Sequence, residues 1–298
     1  MRQLIKKILA FKPLRALLAQ IKDRYTPAEC RAAFVAAMNE RSKEWGMERT
    51  HWINPSGLGE DDVYSQSTAN DLALMAMHVF ATGGGKFHGK EVYALNITKP
   101  FLIPGYRHKK KSVHSTTSID TIGNDYPIIG AKTGSGDGYE TLVMVCKIGE
   151  YVVSGAIMNA NDDQGRFDAM DELMRIGEKI LYGENKEDSK VTNARNACLY
   201  MLDKSGEYKR IFAQNADEQS APMSTTKVMT LSIVRSYMKD LSKEEYVYPI
   251  DLVGAGSDVV EEWDKLTIND LINALMRESS NACSNTLARV TGAVILSK

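Results

Sequence analysis

Residues 221–238 read APMSTTKVMTLSIVRSYM, and the fold assignment turns on the S-x-x-K inside them, Ser224-Thr225-Thr226-Lys227. The stretch reads as a helix beginning at Ser224, behind Pro222. On a helix, positions i and i+3 share a face, so Lys227 can reach the Ser224 hydroxyl. A serine hydroxyl is a poor nucleophile until a base takes its proton. Lysine can be that base when burial and neighbouring positive charge lower its pKa. A helix start adds free backbone N–H groups and the positive end of the dipole. Taken alone, S-x-x-K also occurs by chance on many helices.

Two further motifs join it. S-x-N stands at Ser279-Ser280-Asn281. A hydroxyl there can relay a proton to a leaving group, and Asn281 can hold a substrate amide; the plain alternative is a helix break with local side-chain capping. K-T-G stands at Lys132-Thr133-Gly134, within IIGAKTGSGDGYETLVMV. A cation and a hydroxyl on a strand edge suit a substrate carboxylate, and Gly134 admits close approach to the backbone. The N–H of Ser135 can pair with that of Ser224 as an oxyanion hole. The plain alternative is a Gly-rich strand entry.

Together the three form the set used by penicillin-binding proteins and class A β-lactamases. The flanks resemble the low-molecular-mass D-alanyl-D-alanine carboxypeptidases. NADEQSAPMSTTKVMT resembles that family's nucleophile helix, and KLTINDLINALMRESSNACSNTLA its S-x-N segment. FVAAMNERSKEWGMERTHWINPSGL and YSQSTANDLALMA resemble the stretch downstream of that segment, and IIGAKTG the third motif. The resemblance covers residues 27–183 and 194–292. It departs in order: the family runs nucleophile, S-x-N, K-T-G, whereas here K-T-G comes first. Cutting within residues 184–192 and moving 193–292 to the front restores that order, which reads as a circular permutation. It requires residues near 26 and 292 to be neighbours. A domain-swapped dimer, with Ser224 of one chain serving Lys132 of another, is the rival.

The remaining sequence fits around these motifs. Its 298 residues, 43% hydrophobic and 25% charged, can bury a substantial core. A net charge of -1 gives no reason to expect a nucleic-acid partner. Cys30, Cys146, Cys198 and Cys283 form no C-x-x-C pair, and the five histidines show no metal spacing. Residues 1–25 form a basic amphipathic extension that either lies on a membrane surface or packs on its own domain. They lack the apolar core and cleavage site of a secretory signal. Residues 32–47 and 67–80 read as helices, 141–148 and 151–158 as a hairpin around Gly149-Glu150, and 166–181 as an amphipathic helix. The polar run 184–192 is a linker; 197–203 and 208–215 make a second hairpin, and 267–290 a helix broken near Ser279. GGGK (83–86) lacks a phosphate-loop frame, and RHKKK (107–111) reads as a solvated hairpin tip. EVYALN (91–96) loosely resembles the loop carrying the deacylating glutamate of class A β-lactamases, but its spacing is too long.

The resemblance implies an α/β (α+β) fold: an antiparallel sheet flanked by helices, plus a helical lobe, with the site between. The chain then divides into the extension 1–25, a K-T-G half at 26–183, the linker 184–192, and a half at 193–298 carrying the other motifs. It implies a serine D-Ala-D-Ala carboxypeptidase acting on peptidoglycan stem peptides, or on β-lactams that mimic them, outside the cytoplasmic membrane. Ser224, Lys227 and Ser279 are the expected catalytic residues. Asn281, Lys132, Thr133, Gly134 and Ser135 are the expected substrate-binding residues, and no metal or organic cofactor is implied. A β-lactamase and a non-catalytic penicillin-binding protein are the alternatives.

Overall fold

The computed structural model describes residues 24–59, 61–81, 101–104, 110–113, 126–183, 189–256 and 258–298. Most of the N-terminal extension, GGGK, EVYALN, the start of RHKKK and part of the 184–192 linker lie outside the described residues.

Helix α1 spans Pro27–Glu44 and α2 Ala69–Ala76. Short strands β1 (Phe101–Pro104) and β2 (Lys110–Val113) pair with each other. Then come β3 (Ile128–Gly136), β4 (Tyr139–Ile148), β5 (Tyr151–Ala160) and helix α3 (Gly165–Leu181). Strands β6 (Ala194–Leu202) and β7 (Tyr208–Gln214) precede helix α4 (Thr226–Tyr237). Strand β8 (Glu244–Tyr246), the single turn α5 (Pro249–Leu252), β9 (Lys265–Thr267), α6 (Ile268–Arg277) and α7 (Asn281–Leu296) complete the chain. The protein is mixed α/β, and its main sheet is antiparallel in the order β3-β4-β5-β6-β7.

Local chemistry sets the element ends. The Ile148↔Tyr151 pairing leaves Gly149-Glu150 as a two-residue hairpin loop, with Gly149 at φ 57°, as such turns require. Thr26, Thr68 and Thr267 cap α1, α2 and α6 by accepting from the N–H three residues on. The helix expected over 67–80 loses its α geometry at Met77 and continues to Ala81 as a π turn.

Strand alternation divides the core in two. Leu142, Met144 and Cys146 of β4 face α3 and meet Met170, Leu173 and Met174. Their neighbours Val143 and Val145 face the other way and join the core of the helical lobe with Leu72 and Met75 of α2. A sheet covered on both faces needs apolar residues at successive positions. This is why TLVMVCKI reads as a continuous apolar run rather than an alternating one. All four cysteines are buried and none forms a disulfide among the described residues. No helix among the described residues is long and apolar enough to cross a membrane.

Helices α1 and α7 cross in contact: a Cβ added at Gly292 would stand 1.9 Å from Cys30 O. The Tyr25 hydroxyl donates to Leu296 O at 2.7 Å, so these two distant parts of the chain meet. A buried ion pair anchors α7 to α5. Asp251 accepts from Arg289 Nη2 at 2.8 Å, from Thr286 Oγ1 at 3.1 Å and from Tyr248 N at 3.0 Å. Breaking one partner of such a pair strands the other charge away from water. Arg289→Met is therefore expected to lower the unfolding free energy by about 3 kcal/mol. Denaturant titration checks this; a loss below about 1 kcal/mol would mean that Asp251 is reached by water.

Candidate active site

Ser224 lies in a 3-10 turn, Met223–Thr225, and the α-helix proper begins later than the motif predicts, at Thr226. The turn is tightly held. Pro222 O accepts from Thr225 N at 3.2 Å, Thr225 Oγ1 at 2.5 Å and Thr141 Oγ1 at 3.2 Å. Met223 sits at φ 49°, a left-handed conformation costly for a side chain of that size and retained only where surroundings enforce it. Part of that enforcement comes from NPSGLG: Gly57 has φ 83°, and a Cβ there would stand 1.9 Å from Met223 O.

Lys227 sits one turn beyond Ser224 and is fully buried. Its Nζ donates to Ser224 Oγ, Asn281 Oδ1 and Ser56 O, each at 2.8 Å. One amine thus joins the α4 start, the α7 start and the 54–57 turn. That turn is braced by Asn54 Oδ1, which accepts from Gly57 N at 2.8 Å. Pro55 O adds a second anchor, accepting from Thr230 Oγ1 and Ser284 Oγ at 2.6 Å each. Burial holds the Lys227 pKa well below the ordinary lysine range; nearby Lys132 pushes it further down, and Asp258 opposes them. In the neutral form the amine keeps two N–H donors, enough for Ser56 O and Asn281 Oδ1, and its lone pair can accept the Ser224 proton.

Lys132 is also fully buried, on β3, with Nζ donating to Thr133 O at 2.7 Å. Burial and then the Arg166 charge bring its pKa down to about 7. Arg166, from the first turn of α3, donates through Nη1 to Gly134 O at 3.1 Å, Ser135 Oγ at 2.5 Å and Glu140 Oε2 at 2.5 Å. It also pairs with Asp163. The end of β3 therefore carries two basic groups, of which Arg166 is paired with Glu140 and Asp163.

The K-T-G strand meets the nucleophile turn directly. A Cβ on Gly134 would come within 2.4 Å of Thr141 Oγ1 and 2.9 Å of Ser224 N. The missing side chain of Gly134 makes room for the turn that carries Ser224. Ser135 is exposed beside it.

The three residues of the S-x-N segment do different things. Ser279 is the helix break, at φ 60°, and its buried hydroxyl has no hydrogen-bond partner. Ser280 caps α7, accepting from Cys283 N at 3.0 Å. Asn281 gives its Oδ1 to Lys227 and donates through Nδ2 to Ala255 O at 3.1 Å. The amide keeps a second N–H for a ligand.

Ser224, Lys227 and Asn281 thus share one hydrogen-bonded cluster, and Gly134 of the K-T-G strand abuts it. Sequence reading missed Ser56, Asp258 and Arg166. The NPSGLG turn was visible, but nothing in it signals that Ser56 O would face a lysine 171 positions away.

A serine–lysine pair at the edge of an antiparallel sheet, against a helical lobe, is the arrangement of the β-lactamase and penicillin-binding class of folds. Residues 27–162, a little under half of the chain, match the D-alanyl-D-alanine carboxypeptidase family model, a serine peptidase family. The matched segment contains Lys132–Ser135 and not Ser224, Lys227 or Asn281. No curated protein and no solved structure gave a match.

Proposed function

We propose that the chain is a serine D-Ala-D-Ala carboxypeptidase acting on peptidoglycan stem peptides and acylated by β-lactams. The observation that carries this reading is the buried Lys227 amine, 2.8 Å from both Ser224 Oγ and Asn281 Oδ1.

Ser224 Oγ attacks the penultimate carbonyl carbon while its proton passes to neutral Lys227. The oxyanion is held by the N–H groups of Ser224 and Ser135. Lys132 and Thr133, with Arg166 behind them, bind the terminal carboxylate, and the remaining Nδ2 proton of Asn281 orients the substrate amide. As the C–N bond breaks, the amine of D-alanine takes a proton from Lys227 through Ser279. Ser279 can serve because its hydroxyl is otherwise unengaged. Water then attacks the acyl-serine and releases the shortened peptide.

The motif order is best read as a circular permutation. Joining residue 296 to residue 25, which already touch, and cutting between α3 and β6 gives the family's order with every strand pairing kept. One chain then holds both halves of the site, so a monomer suffices. By family resemblance the enzyme works outside the cytoplasmic membrane.

The test is incubation with a labelled penicillin while the mass of the intact protein is followed. A long-lived adduct of one penicillin per chain is expected. Fast turnover would make the protein a β-lactamase instead, and no adduct at all would leave a non-catalytic binding protein.

A further inference from the structure

Asn281 does not reach Lys227 by its own helix geometry alone. The turn that precedes α7 is gripped from Ala255 and Asp258, residues that none of the three motifs includes. Asp258 Oδ1 accepts from Ser280 Oγ at 2.6 Å, and Asp258 Oδ2 accepts from Ala282 N at 2.9 Å. The two bonds straddle Asn281. Ala255 O, three residues before Asp258, takes the Nδ2 proton of Asn281 itself at 3.1 Å. The loop therefore fixes the residues on either side of Asn281 as well as one end of its amide. What remains free, Oδ1, points at the Lys227 amine at 2.8 Å.

We propose that Asp258 is a positioning residue of the acylation centre: its carboxylate clamps the Ser280–Ala282 turn so that Asn281 is presented to Lys227.

The carboxylate has reason to be a carboxylate rather than any acceptor. Ala282 N is a donor in the first turn of α7 with no partner inside the helix, where negative charge is favoured. A charged acceptor bonds such a donor more strongly than a neutral one. The charge also bears on Lys227. The groups around that amine are Lys132 from β3, with Arg166 of α3 behind it, and Asp258 from the loop before α6. Lys132 disfavours a second cation there and Asp258 favours it, while Arg166 acts on Lys132. Cys283, which also feels the Asp258 charge, is held as a thiol by burial. Asp258 is thus the one acidic group that acts on Lys227 among those identified, and its loss lowers the Lys227 pKa further.

The inference rests on the acyl-serine reading, and two variants test it separately from that reading. Asp258→Asn keeps an oxygen for Ala282 N and a polar partner for Ser280 Oγ but removes the charge. Asp258→Ala removes both. In the full chain, the rate of acylation by a fluorescent penicillin is expected to fall about tenfold in Asp258→Ala, from misorientation of one partner. Asp258→Asn is expected within about threefold of the parent at its optimum, because the clamp persists. Its acid limb should lie at lower pH, a shift that a purely structural role would not produce. Crystal structures supply the readout that needs no activity. Asn281 Oδ1 should leave Lys227 in the Ala variant and stay on it in the Asn variant. If the parent protein forms no adduct, the carboxypeptidase reading fails and the crystal structures still decide the role of Asp258. If Asn281 keeps its bond to Lys227 in Asp258→Ala, or if both variants acylate with the parent's rate and pH profile, the inference is wrong.

Discussion

Ser224→Ala is expected to form no penicillin adduct and to release no D-alanine, at a melting temperature close to that of the parent. Removing the attacking oxygen leaves only binding and the oxyanion site, so turnover falls by at least about 10³-fold. The fold should tolerate the change because Ser224 is only partly buried and its side chain contributes one identified bond, accepted from Lys227. The amine retains Ser56 O and Asn281 Oδ1 as acceptors. Intact-protein mass spectrometry reads the adduct, and a melting curve reads the fold. An adduct that survives on the Ala variant would mean a different nucleophile. Nearby hydroxyls make poor substitutes: Thr225 is committed to Pro222 O at 2.5 Å, and Thr226 is fully buried.

How much of this was legible in the sequence depends on the range of the interaction concerned. Ser224 and Lys227 are three residues apart across the 3-10 turn and the helix that continues it, so their contact is a local one. The β4–β5 hairpin was readable from two apolar runs around Gly149-Glu150, and the α6–α7 break from the polar Ser279-Ser280-Asn281. Juxtaposition of those motifs was not a local property, and only the combination of three separately weak motifs pointed to it. The details that no spacing encodes are those in which a backbone atom or an unrelated loop does the work. Ser56 O, Ala255 O and Asp258 belong to segments without helical or strand periodicity, and each meets a partner far away in sequence. Gly134 illustrates the same limit: its small size was visible, but not which neighbour required it. Arg166 read as part of an amphipathic helix, and its reach to Gly134 O depends on how α3 lies across the sheet.

Removal of the base should be as damaging as removal of the nucleophile. Lys227→Met keeps a flexible apolar stem of similar volume in the core but has no lone pair to take the Ser224 proton. General-base assistance with a positioned amine contributes roughly 10²–10⁴ in rate, so acylation is expected to fall by about 10³-fold. The pH dependence makes the assignment specific. Lys227 acts only as the neutral amine, and its pKa is depressed by burial and by Lys132. Protonation as pH falls therefore switches acylation off on the acid side, far below the range of an ordinary lysine. Lys132 has the opposite requirement, because it must be charged to hold a carboxylate. With its pKa at about 7, its charge is lost as pH rises through neutrality, which sets an alkaline limb that a bound carboxylate displaces upward. The parent should give a bell-shaped profile for the second-order acylation rate, measured with a fluorescent penicillin. Lys227→Met should lose the acid limb and keep the alkaline one, whereas Lys132→Met should do the reverse and weaken binding chiefly. An acid limb that persists unchanged in Lys227→Met would transfer the base role to another group. The one buried amine remaining in this cluster is Lys132, and the Lys132→Met profile would then decide the assignment.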